Sequence, residues 1–135
     1  MLDIDGVICL NHLEFDTVCL SNLKYICEKT GAVCVLSSDW RIVPSDRKRV
    51  EQALSGLGIS LYGATEYTTA IEPRWKEIKE WLERHPEVNK YVIIDDASGA
   101  EIKGENTFFR TQYCTGGLNK ELADQIVEYF NVDTQ

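Results

Sequence analysis

Residues 91–96 read YVIIDD, an aromatic and three β-branched residues followed at once by two acids. Such side chains suit a pleated, buried surface, and an unbroken apolar run is what a strand covered on both faces requires. Strands of that kind belong to parallel sheets, whose neighbours must be joined by crossovers, usually helices. The flanks supply them. Upstream, residues 73–85 (PRWKEIKEWLERH) place Trp75, Ile78, Trp81 and Leu82 on one helical face, with Pro73 suited to the first turn and His85 and Pro86 closing the segment. Downstream, residues 107–112 (TFFRTQ) read as a further strand. Asn119 then stands where it can cap a last helix carrying Leu122, Ile126, Val127 and Phe130.

The same alternation runs back to the amino end. Residues 15–31 carry Val18, Leu20, Leu23, Ile26 and Cys27 at helical spacing, with Asp16 placed to cap and Gly31 to stop the helix. Residues 32–37 (AVCVLS) read as a buried strand. Residues 45–57 read as a helix with Val50, Ala53, Leu54 and Leu57 on one face, ended by Gly58, and 59–63 (ISLYG) as a short strand. MLDID at 1–5 opens the series, with Asp3 and Asp5 on one side of an extended chain and Leu2 and Ile4 on the other. The expected fold is therefore a doubly wound, Rossmann-like α/β domain. It has a mostly parallel five-stranded sheet with helices on both faces, and residues 1–135 form a single domain.

Bulk properties exclude some functions. A net charge of −8 over 135 residues disfavours nonspecific binding to nucleic acid or to anionic membrane. No apolar run approaches membrane-spanning length, and no obligate protein partner is evident. The five cysteines are odd in number and never spaced C-x-x-C, so neither a zinc site nor a disulfide framework follows, and a reducing, intracellular, cytoplasmic setting is expected. Residues 40–50 (WRIVPSDRKRV) gather Arg41, Arg47, Lys48 and Arg49, either as a solvated loop and first helical turn or as a contact for phosphates.

In open α/β sheets ligands bind beyond the carboxyl ends of the strands. Asp3 and Asp5, Ser37 and Ser38, and Asp95 and Asp96 all fall there, and Arg74 and Lys76 start the helix leading into the YVIIDD strand. Each like-charge pair among four such acids at 4 Å costs about 4 kcal/mol at an effective dielectric near 20. Protons or a cation must relieve that crowding. Hard oxygen donors without histidine or thiolate point to magnesium (Mg2+), with phosphate as the remaining ligand.

In order and spacing, DIDGV (3–7), VCVLSS (33–38), PRWKEI (73–78) and VIIDD (92–96) resemble the four motifs of the haloacid dehalogenase-like (HAD) superfamily, most of whose members are phosphatases. SSDWR (37–41), RWKEIKEWL (74–82), YVIIDDAS (91–98) and TGGL (115–118) resemble, more narrowly, the small phosphatase domains associated with RNA repair proteins and their viral and microbial relatives. The resemblance implies magnesium-dependent phosphomonoester hydrolysis through an aspartyl-phosphate. Asp3 matches the nucleophile and Asp5 the general acid–base. Ser38 matches the hydroxyl that bonds a phosphoryl oxygen, with Ser37 the alternative. Arg74 matches the cation facing the transferring group, with Lys76 in reserve. The metal would be held by Asp3, Asp96 and Asp5, the last usually through its backbone carbonyl, with Asp95 in support. Trp40 and Arg41, just past the second motif, are placed to meet substrate by stacking and by charge, with simple packing the alternative for Trp40.

Two features depart from the family pattern: only Met1 and Leu2 precede Asp3, and Arg74 stands where lysine is frequent. Relatives that act on small metabolites carry a cap over the site. Segments 6–32 and 39–72 are too short to hold one beside their expected elements, so a capless, open site is expected, suited to phosphorylated RNA or DNA ends. A noncatalytic binding module and a phosphatase of small metabolites or phosphoproteins are the competing readings. A receiver-type signalling domain is not, because ISLYGATEY (59–67) lacks the acceptor aspartate.

Overall fold

The computed structural model describes residues 1–11, 14–66 and 73–132. In chain order these hold α1 (Thr17–Thr30), β1 (Cys34–Leu36), α2 (Pro44–Ser55), β2 (Leu61–Ala64), α3 (Arg74–Glu83), β3 (Ile93–Asp95), β4 (Phe108–Arg110) and α4 (Lys120–Val132). The expected cap residues are in place. The Asp16 carboxylate accepts from the Cys19 N–H at 2.9 Å, and Gly31 ends α1 at φ +74°. The Asn119 side chain accepts from the Leu122 N–H at 2.8 Å at the start of α4. Helices α2 and α3 differ from expectation at their ends: α2 begins on Pro44 and stops at Ser55, and Pro73 precedes α3 rather than lying inside it.

The sheet differs more. Strands β1 and β2 pair in parallel, as do β3 and β4, so the described residues hold four strands rather than five. The amino-terminal segment joins the two pairs through Leu2 alone, bridged to Leu36 on one side and to Ile94 on the other. The cause lies just downstream. The N–H groups of Val7, Ile8 and Cys9 all donate to the Ile4 carbonyl at 3.0–3.1 Å, and Gly6 takes φ +79°, so the chain is already turning by Ile4. Among the described residues, Leu2 is the one position of the segment bridged to the neighbouring strands.

Two clusters bury the apolar side chains. Leu23 and Ile26 of α1, Val50 and Leu54 of α2, and Ala123 and Ile126 of α4 pack with Leu2, Leu36 and Ile94. Ile78 of α3 packs instead with Ile93, Ala100 and Ile102. Neighbouring residues of a strand point to opposite faces, so Ile94 and Ile93 divide between the clusters. By the same rule Asp3, Ser37 and Asp95, each following a residue of the Leu2–Leu36–Ile94 row, form a second row on the α3 side. No helix among the described residues is long and apolar enough to cross a membrane. The expectation of no cap falls partly on residues 12–13 and 67–72, which lie outside the described residues.

Candidate active site

At the carboxyl ends of the central strands, Asp3, Asp95 and Asp96 each offer a carboxylate oxygen, all within 4.8 Å of one another. Asp3 and Asp95 are buried. Burial, and then the neighbouring Asp95, push the Asp3 carboxyl up to about 8, while the Arg74 charge opposes the shift. Burial raises Asp95 as well, against the N–H of Ala97, which donates to its Oδ1 at 2.9 Å. Oxygens alone, crowded enough to retain a proton, are the donor set a small hard cation takes. The third acid depends on Gly6: a Cβ there would stand 2.4 Å from Asp96 Oδ2. The glycine thus provides both the positive φ of the turn and the space for Asp96. Thr111, which the sequence pattern did not single out, secures this corner. Its hydroxyl donates to the Gly6 carbonyl at 2.8 Å and its N–H to the Asp95 carbonyl at 3.0 Å.

Asp5 is not among the three. Its Oδ2 accepts the indole N–H of Trp40 at 3.0 Å. Trp40 is itself buried, 5.4 Å from Phe15 between ring centroids, with the Arg49 guanidinium 5.0 Å from its own centroid. It is packed against the acid rather than presented for stacking on substrate.

The two serines separate clearly. Ser38 Oγ accepts from the Trp40 N–H at 3.2 Å and caps the short turn Asp39–Arg41. Ser37 lies in the row with Asp3, fully buried, and its hydroxyl makes no hydrogen bond among the described residues. The arginines separate as well. Arg41, expected at the substrate, is turned inward: Nε donates to the Thr65 carbonyl at 2.9 Å, Nη1 to the Ser38 carbonyl at 2.7 Å and Nη2 to Glu77 Oε2 at 2.8 Å. Arg74 donates Nη2 to Asp39 Oδ1 at 3.1 Å, yet its buried Nη1 makes no hydrogen bond. Its charge acts on both Asp3 and Asp95. Lys76, the reserve cation, is half-buried on the same helix. Of the basic run on α2, Arg47 pairs with Glu51 at 3.1 Å across one helical turn.

The chain was compared with known proteins. The family described as the HAD domain in Swiss Army Knife RNA repair proteins matches residues 1–123. No curated protein and no solved structure matches.

Proposed function

Because the chain belongs to the family of HAD domains in Swiss Army Knife RNA repair proteins, we propose that it is a magnesium-dependent phosphomonoester hydrolase whose substrate is a phosphorylated polynucleotide end. The observation that carries this reading is the meeting of Asp3, Asp95 and Asp96 within 4.8 Å at the strand ends, with the charge of Arg74 acting on the first two.

The chain's own groups divide the work. An Asp3 oxygen attacks phosphorus, and the bond to the leaving oxygen breaks as Asp5 gives that oxygen its proton. Water then attacks the aspartyl-phosphate, Asp5 takes the proton back, and inorganic phosphate leaves with Asp3 restored. Net, one water is consumed for each ester cleaved. Asp3 and Asp96, backed by Asp95 and by the Asp5 carbonyl, would hold magnesium, which supplies charge neutralisation at the phosphoryl oxygens. Ser37 is assigned the hydrogen bond to a phosphoryl oxygen, because its hydroxyl has no partner among the described residues; Ser38, whose Oγ accepts from the Trp40 N–H and keeps its O–H to donate, is the alternative. Arg74 is assigned the remaining charge, since one of its nitrogens makes no hydrogen bond among the described residues.

Support for a polymer substrate comes from α2. Arg49 reaches the site's border through Trp40, which touches Asp5, and Lys48 beside it is exposed. Arg47, Lys48 and Arg49 therefore take over the contact with flanking phosphates once assigned in part to Arg41. The test is phosphate release, with magnesium, from phosphorylated oligonucleotide ends, mononucleotides, sugar phosphates and phosphopeptides. The oligonucleotide end should show a higher kcat/KM than the matching mononucleotide, and the advantage should shrink as salt rises. Release from none of the panel would favour a noncatalytic binding module. Preference for a small substrate at every salt concentration would remove the polynucleotide.

A further inference from the structure

We infer that Trp40 is the positioning residue of Asp5: its indole N–H sets the direction in which that carboxyl delivers its proton. The inference rests on the hydrolase reading. Asp5 lies at the start of a turn, where the Gly6 N–H donates to the Cys9 carbonyl at 2.9 Å. Proton transfer to a leaving oxygen demands one orientation. An indole nitrogen can only donate, so Asp5 Oδ2 is committed as its acceptor at 3.0 Å.

The donor is itself held from three directions. Phe15 packs on the ring at 5.4 Å, tilted by 51°, Arg49 lies 5.0 Å from its centroid, and the Trp40 backbone N–H is tied to Ser38 Oγ. The same residue thus links the turn that carries the acid to the turn that follows Ser37. A buried tryptophan ordinarily needs a partner for its N–H, and a backbone carbonyl would serve packing equally well. Here the partner is the carboxyl assigned to proton transfer.

The experiment compares leaving groups in the full chain with magnesium. Phosphoryl transfer from an alkyl phosphate needs a proton on the departing alkoxide. Transfer from p-nitrophenyl phosphate does not, because nitrophenolate leaves as the anion. kcat/KM reports the steps up to transfer onto Asp3 and so excludes the later hydrolysis of the intermediate. Trp40→Phe should lower kcat/KM for the alkyl ester roughly tenfold or more, and for the nitrophenyl ester by less than about threefold. An equal loss on both esters, or no loss on either, overturns the inference. Should Trp40→Phe fail to fold, a tryptophan analogue with sulfur in place of the N–H, introduced at position 40 alone, keeps the shape, and the same split is required of it. The alkyl ester is a phosphorylated oligonucleotide end, and wild-type protein that cleaves neither ester overturns the hydrolase reading and this inference with it. Wild-type cleavage with no split overturns the inference alone.

Discussion

The turn after β1 and the first turn of α3 each bring an arginine to the same two acids, Asp39 and Glu77, with opposite results. Arg41 reaches Glu77 at 2.8 Å and Asp39 at 3.7 Å, its side chain is 3% exposed, and backbone carbonyls take its other donors. Arg74 reaches Asp39 at 3.1 Å and Glu77 only at 3.8 Å, its side chain is 22% exposed, and one nitrogen makes no hydrogen bond. A guanidinium is a planar fork of five N–H groups, and what it does depends on how many of them fixed acceptors have already claimed. One arginine holds the wall of the site together. The other keeps a donor in reserve beside the two acids.

The harshest way to break this comparison is to remove the acid on which the Arg74 charge acts. Asp3→Asn should reduce phosphate release by roughly 10³-fold or more while the protein still folds, because an amide cannot attack phosphorus. Beryllium fluoride with magnesium should bind wild type and not the variant. Residual turnover of more than a few per cent would remove the covalent step, and with it the assignment of Arg74.

Next in size is Arg41→Met. It strips a buried carboxylate of its partner, so the expected loss is about 3–5 kcal/mol in denaturant unfolding. Combining it with Glu77→Met should recover most of that loss. A stable Arg41→Met protein whose only defect is a raised KM would make Arg41 a substrate contact after all.

Arg74→Ala should show the reverse pattern. A fall in kcat of roughly 10²–10³-fold is expected, the scale of losing one preorganised donor. Its surface pair with Asp39 is worth at most about 1 kcal/mol, so the melting temperature should shift little. Arg74→Lys should fall between wild type and alanine, since an ammonium lacks the fork.

The smallest effect concerns stability and pH without divalent ions. The Asp3 carboxyl is raised in the folded protein, so the folded state holds that proton more tightly than the unfolded chain does. The stabilisation is complete at low pH and declines as pH climbs from about 4, the ordinary carboxylate value, to about 8. Above that it should be flat. Melting curves in chelator should record a fall of several degrees across this window, which magnesium should reduce. Because Arg74 opposes the shift, Arg74→Ala should deepen the fall. A metal-free melting temperature that rises from pH 5 to pH 8 would contradict the burial of Asp3.

The sequence made the ends of α1 and the start of α4 legible, because capping is local: Asp16, Gly31 and Asn119 act within a turn of themselves. It also made the acidic rim legible, since strand ends in such sheets converge whatever the loops do. Asp95 joins Asp3 and Asp96 more closely than a supporting role implied. Three things were not legible. Choosing between Ser37 and Ser38 depends on which hydroxyl is left without a partner among the described residues, and that is set by packing around the dipeptide. That Arg41 turns inward instead of toward substrate depends on Thr65 and Glu77, which are 24 and 36 residues beyond it. The fifth strand failed because the run MLDID carries the right alternation, yet three amides fold back on the Ile4 carbonyl and end the extended chain early.

That early turn has a consequence for how the molecule comes apart. Five backbone hydrogen bonds attach Met1, Leu2 and Asp3 to β1 and to the β3 segment: Leu2 to Val35, Ser37 to Leu2, Asp3 to Ile94, Ile94 to Met1, and the Met1 amine to Val92. Through the sheet, β1–β2 and β3–β4 communicate only across these bonds among the described residues. The short peptide that carries Asp3 is therefore also the link between the two strand pairs of the sheet among the described residues. In native-state hydrogen exchange, the amides of Leu2, Asp3, Ser37 and Ile94 should open together, in the same event that lets the two halves exchange independently. A protein that loosens there should lose the placement of Asp3 and the continuity of its sheet in a single step.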